Sequence, residues 1–200
     1  MVACHVIARS ESGDVVWPRR RPDPDEHLAE YVFCQRGLVG GEGVLLPTTL
    51  LISRPLLVDV PFRHGLPIRN DVDWLLRAVD RHGIRPEFVP EPRPLAIWNM
   101  DEGRSRIGTS SPWRWTLDWI RANRALVTPR AYAGFLLTSA SLTAARGRHW
   151  SAFWVLPWEA FRGGRPGLAE LCAHVLIWTI PKRLRNRVVV AWRGRARGPA

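Results

Sequence analysis

A mixed α/β or α+β fold, a short mixed sheet followed by a helical C-terminal region, is what the sequence predicts. Three observations lead there. Short apolar, β-leaning segments separated by Gly, Pro and Asp fill the first half. From Pro112 onward helix-start devices recur, a Ser or Thr followed by Pro. The 200 residues suit one domain with a real core. Residues 1–110 are read as the sheet-bearing part, 111–192 as the helical region, and 193–200 as a disordered Arg/Gly tail.

Val2–Ala8 and Asp14–Trp17 are expected as strands around a Glu11-Ser12-Gly13 turn. The loop "PRRRPDPDE" feeds a helix-like "EHLAEYVFCQRG". Val44–Ser53 is apolar and β-leaning, with Pro47 arguing for an edge or a break. "RPEFVPEPRPLAIWNM" holds two extended pieces separated by prolines. "SPWRWTLDWIRAN" opens a helix with Ser111 as N-cap and Pro112 at N1, and "TPRAYAGFLLTSASLTAARGR" repeats the device with Thr128 and Pro129. Further helices follow in "SAFWVLPWEAFRGG", "GLAELCAHVLIWTIP" and "KRLRNRVVVAWRGRAR".

The stretch "PIRNDVDWLLRAVDRHGI" carries the most local information. Trp74, Leu75, Ala78 and Val79 share one helical face, and Asp73, Arg77, Asp80 and Arg81 the other. Asn70 is predicted as the N-cap, with Asp73 reaching back three residues later and pairing with Arg77 at i, i+4. Gly83 closes the helix in the C′ role. Only Asp71 is left without a required structural task, beyond favouring the positive end of the helix dipole.

The formal charge is +11, nearly all of it arginine, with Lys182 the only lysine. A basic balance favours phosphate-bearing partners or an anionic membrane face. Nucleic acid is not expected as a partner: no helix-turn-helix, zinc or RNP-like pattern accompanies the charge, and the arginines are spread over the whole chain. Cys4, Cys34 and Cys172 are far apart, so neither a zinc site nor a disulfide framework is indicated, and a reducing, cytoplasmic compartment is expected. No apolar run reaches a spanning length. The six histidines have no Ser or Cys partner in a nucleophile motif. Eleven tryptophans are unusual, because Trp is large and usually sits in a core or an interface.

The order of the motifs adds a resemblance. The run "WPRRRPDPDEHLAEYVF", "LPTTLLISRPLL", "PFRHGLPIRNDVDWLLRA", "FVPEPRPLAIW" and "SPWRWTLDWI" resembles the second half of family 2 glycosyltransferases, over roughly Val15 to Arg187. Within that group it is similar to bacterial enzymes in which an acidic "ED" or "QDWDW" motif opens a helix. The resemblance implies a partial GT-A-like fold and an inverting transfer of a sugar from a nucleotide-sugar donor to an acceptor hydroxyl, on a glycan or a lipid-linked acceptor. It places Asn70 and Asp71 on the "ED" pair, so that Asp71 is the implied catalytic base. Asp73 and Arg77 then orient the helix start, Trp74 or Trp98 stacks on a sugar ring, and Asn70 completes the substrate-binding group.

A divalent metal, Mn or Mg, is also implied by the resemblance, but no ligand set is identifiable. Asp23-Pro24-Asp25 lies in a proline-rich turn, and Asp71-Val72-Asp73 is the helix start itself. The nucleotide-binding first half has no counterpart in this sequence, so the expectation is an acceptor-side half that can be inactive alone. The alternative is a non-catalytic, basic, Trp-rich module docking on an anionic membrane surface or a partner through the last helices, which carry Trp178 and Trp192.

Overall fold

The computed structural model describes residues 1–11, 13–37, 42–90, 94–100, 112–181 and 184. Ser12, Ser111, Trp192 and the tail from Arg193, which carried sequence expectations, lie outside the described residues.

The architecture is mixed, as the sequence predicts, but the sheet is divided. Val2–Ala8 is not one strand: β1 (Val2–Ala3) and β2 (His5–Ser10) belong to different three-stranded sheets. In the first, β1 lies between β4 (Leu50–Leu51, antiparallel) and β5 (Glu87–Phe88, parallel). In the second, β2 lies between β3 (Gly13–Trp17, antiparallel) and β6 (Pro94–Asn99, parallel). The junction has a physical cause. The Cys4 amide still bonds the Thr49 carbonyl at 3.0 Å, on the side of the first sheet, and the register with β6 slips between His5 and Val6. Such an irregularity bends and twists a strand.

Val44–Ser53 forms mostly a turn rather than a strand. Pro47–Thr49 makes one 3-10 turn, and only Leu50–Leu51 pairs. The Thr49 hydroxyl donates to the Leu46 carbonyl at 2.8 Å and accepts from its amide at 3.2 Å, a local arrangement that competes with a ladder.

Eight α-helices are described: α1 (Leu28–Phe33), α2 (Arg54–Asp59), α3 (Asn70–His82), α4 (Trp113–Ala122), α5 (Pro129–Phe135), α6 (Ser141–Arg146), α7 (Ser151–Gly163) and α8 (Leu168–Thr179). A π-helical segment, Leu136–Ala140, joins α5 to α6 in one continuous rod. Thr128 caps α5 as predicted, its hydroxyl accepting from the Ala131 amide at 3.1 Å with Pro129 at the first helical position. None of the described helices is long and apolar enough to cross a membrane.

Two hydrophobic clusters hold the molecule. One, beside the first sheet, includes Ala3, Tyr31, Val60, Trp74 and Phe88. The other, inside the helical region, includes Phe33, Leu76, Ile120, Phe135, Leu136 and Leu156. Helices α1 and α3 feed both: Tyr31 and Trp74 enter the first, Phe33 and Leu76 the second. They therefore join the sheet layer to the helical layer and fix where the start of α3 sits. At Gly134 in α5 a Cβ would stand 2.8 Å from the Phe33 carbonyl, so the end of α1 reaches the central rod only because that side chain is missing.

Candidate functional site

The start of α3 is built by the residue before it. Arg69 has φ 67° and ψ 21°, the left-handed region that non-glycine residues rarely adopt. This costs on the order of 1–2 kcal/mol. Such outliers persist where surrounding contacts over-determine them, and those contacts are visible here. The Arg69 side chain is sunk among aromatic rings, its guanidinium 4.6 Å from the Phe135 ring centre and 5.9 Å from that of Trp119. Burial pushes its pKa down to about 10, with the neighbouring Asp71 carboxylate acting in the opposite direction. Its Nε has no hydrogen-bond partner among the described residues.

Asn70 does not cap the helix as the sequence predicts. It is the first helical residue, and its amide donates to the Leu66 carbonyl at 3.2 Å. The side chain works as a donor that ties down the preceding loop.

Asp71 sits in the first turn, half-buried. Its Oδ1 accepts from the Val72 amide at 2.9 Å, and its Oδ2 has no hydrogen-bond partner among the described residues. The amides of the first helical turn favour an anion here.

Asp73 is different in every respect. Its side chain is 0% exposed; Oδ1 accepts from Arg63 at 3.1 Å and Oδ2 from Arg77 at 2.9 Å. The i, i+4 pair with Arg77 was legible in the sequence, whereas Arg63 was not. Arg63 also reaches Asn123 Oδ1 at 3.4 Å, linking α3 to the end of α4. Arg77 donates in addition to the Pro61 carbonyl at 2.8 Å. Trp74 is 1% exposed, donates from Nε1 to the Val60 carbonyl at 2.6 Å, and stacks on Phe62 at 5.7 Å. Asp73, Trp74 and Arg77 together pin the 60–63 segment against α3. The indole of Trp74 has no free face for a sugar.

Trp98, expected beside them, stands on β6 in the second sheet, half-buried against Trp17 at 5.5 Å. It belongs to neither hydrophobic cluster that holds α3.

The acids do not fit the divalent ion that the resemblance implies. Among the described residues no group of three or more His, Cys, Asp or Glu side chains converges. The Asp73 carboxylate is already neutralised by two guanidiniums, and Asp23 is bound to Arg36. An open pocket of about 420 Å³ lies beside Asp23, between Arg20, Glu26, Glu30, Arg36 and Arg130. Its arginines are all engaged: Arg20 pairs with Glu26, Arg36 with Asp23 and Glu26, and Arg130 with the buried Glu170.

The structure brings together one pair that no sequence motif marks. Ser141 Oγ lies 2.9 Å from His174 Nδ1, accepts from Trp178 Nε1 at 3.0 Å, and is 0% exposed. His174 Nε2 faces the Phe153 carbonyl at 3.1 Å, not a carboxylate. Substrate cannot reach this serine, and no acid orients the imidazole, so the pair is an internal tie between α6, α7 and α8. All three cysteines are free thiols, and burial pushes that of Cys34 up to about 12, which keeps it unreactive.

No family model, curated protein or solved structure matches the chain, so a functional reading has to stand on these residues.

Proposed function

We propose that the chain is the acceptor-side part of an inverting glycosyltransferase of the GT-A type, with Asp71 as the general base. In this reading Asp71 Oδ2 takes the proton of an acceptor hydroxyl. The oxygen so freed attacks the anomeric carbon of a nucleotide sugar; a new C–O bond forms, the bond to the diphosphate breaks, and the nucleoside diphosphate leaves. No step is routed through a metal, because the described acids do not suit one.

The observation that supports this reading is the division of labour between two aspartates two residues apart. Asp73 is sealed and doubly paired, which accounts for it completely as a structural residue. Asp71 is half-buried, keeps one oxygen without a hydrogen-bond partner among the described residues, and follows a left-handed, half-buried arginine.

The test uses the full chain with a panel of nucleoside-diphosphate sugars and of glycan and lipid-linked acceptors, reading released nucleoside diphosphate. Asp71→Asn should lower turnover by at least ~100-fold, the usual scale for a general base, with the melting temperature lowered by no more than about 1–2 °C. Equal rates for the wild type and Asp71→Asn with a pair that turns over would overturn the reading.

A further inference from the structure

Helix α7 is inverted relative to an ordinary surface helix. Its inward face carries Ala152, Leu156 and Ala160, all 0% exposed. Its outward face carries Trp154, Trp158 and Phe161, which are 75%, 69% and 61% exposed, and Trp150 just before the helix is 66% exposed. Positions 150, 154, 158 and 161 follow the spacing of a single helical stripe. Leu168 and Val175 on α8 are exposed as well. Large aromatics at this density in water mark a contact surface.

From this we infer that α7 docks the protein on an anionic lipid bilayer, its aromatic stripe lying at headgroup depth. Charge argues for that occupant. Arg148, Arg162 and Arg165 flank the stripe and are exposed. The one acid on α7, Glu159, is closed off by a two-pronged bond from Arg121 and by the Tyr132 hydroxyl, so the face offers no free negative charge. The sequence that follows α8, residues 182–200, holds seven basic and no acidic residues. Amphipathic tryptophan rings rimmed by arginine suit the boundary between headgroups and acyl chains, where indoles are enriched and basic residues meet anionic lipid. Of the two tryptophans the sequence suggested, Trp192 lies outside the described residues. Trp178 is half-buried, bonded to Ser141 and packed on Trp150 and Phe153. This inference is independent of the transferase reading.

Flotation of the full chain with phosphatidylcholine vesicles, with and without about 30 mol % phosphatidylglycerol, tests it. The wild type should float with the anionic vesicles at low salt and at least ~10-fold less at 0.5 M salt. The combined change Trp154→Ser, Trp158→Ser and Phe161→Ser should weaken flotation by at least ~100-fold without altering the circular dichroism. Arg148→Gln with Arg162→Gln should weaken it by roughly 25-fold, on the scale of about fivefold per basic residue. Quenching of the wild-type emission by brominated lipid reads the same contact with no substitution. Undiminished flotation of the aromatic variant, equal flotation with uncharged vesicles, or absence of quenching would overturn the proposal. So would a dimer that dissolves on the same substitutions in a chain that ignores vesicles.

Discussion

Helices α3 and α7 have the same length, 13 residues each, and use tryptophan in opposite ways. Helix α3 buries Trp74 and even Asp73, whereas α7 buries alanines and leaves Trp154 and Trp158 outside. The neighbours decide. Facing α3 is a loop, 60–63, that offers a carbonyl to the indole and a guanidinium to the acid. Facing α7 is α5, and the two come very close. A Cβ on Gly164, just past α7, would stand 2.6 Å from the Pro129 carbonyl and 2.9 Å from the Ala133 side chain. At this end of α7 the backbones approach, and the Tyr132 ring, bonded to Glu159, already fills the space beside Gly163. That leaves no room for a second ring at the C-terminal end of the inward face of α7.

The sharpest way to break this comparison is to remove one ring from each helix. Trp74→Ala should cost about 4 kcal/mol in urea denaturation, from lost burial and the cavity left behind. It also leaves the Val60 carbonyl without its indole donor. Trp154→Ala should stay within roughly 0.5 kcal/mol, as an exposed position does. A comparable cost at both positions would mean that the outer face of α7 is covered in the folded chain.

Enlarging the buried side of α7 is the next largest effect. Ala160→Leu inserts methylenes where α7 meets α5 and should cost about 1–3 kcal/mol. The neighbouring Phe161→Leu, on the exposed side, should change stability by less than about 0.5 kcal/mol in the same measurement. A neutral Ala160→Leu would remove the close approach as the reason why the rings point outward.

Local chemistry was legible in the sequence and placement was not. The Thr128 cap, the Gly83 stop with φ 58° and the Asp73–Arg77 pair all lie within four or five residues, the range over which helix geometry alone dictates contact. Arg63 comes to Asp73 from a loop ten positions earlier, and nothing periodic announces it. Asn70 had the right side chain for a cap, yet the loop carbonyl of Leu66 took its amide. The division of Val2–Ala8 between two sheets depends on partners that lie nearly fifty and about ninety residues away. Helix α2 has six residues, too few for a helical period to show. Of the candidate site, the carboxylate at the helix start could be read off. The left-handed arginine that supports it could not, because backbone handedness leaves no mark on a residue that is not glycine.

A pH titration probes the internal tie that seats α7. Burial pushes the pKa of His174 below its ordinary value near 6.5, the bond to the Phe153 carbonyl acting the other way. The folded chain then binds the proton less readily than the unfolded chain. The stabilisation is complete above pH 6.5 and is lost as pH falls through the lowered value. His5 shifts in the same direction, through burial and the nearby Arg21 guanidinium. Stability should therefore decline on acidification below neutrality, and His174→Gln should flatten part of that slope while His5 retains the rest. An unchanged slope in His174→Gln would show that the Ser141–His174–Phe153 chain does not resist protonation, and α7 would then be seated by small-residue packing alone.

The smallest effect is the one on which the comparison within α3 turns. Asp71→Asn keeps the side-chain oxygen that accepts from the Val72 amide and removes only a charge from the helix start. The dipole contribution of such a charge is about 0.3–1 kcal/mol, and half-exposure places Asp71 at the lower end. Asp73→Asn strips the charge from a fully buried partner of two arginines, a change that costs about 3 kcal/mol or more. Two isosteric substitutions two residues apart should thus differ severalfold in urea denaturation. If Asp71→Asn proves as damaging as Asp73→Asn, the first carboxylate is a structural residue too, and no acid at this helix start is free to accept a proton from a substrate.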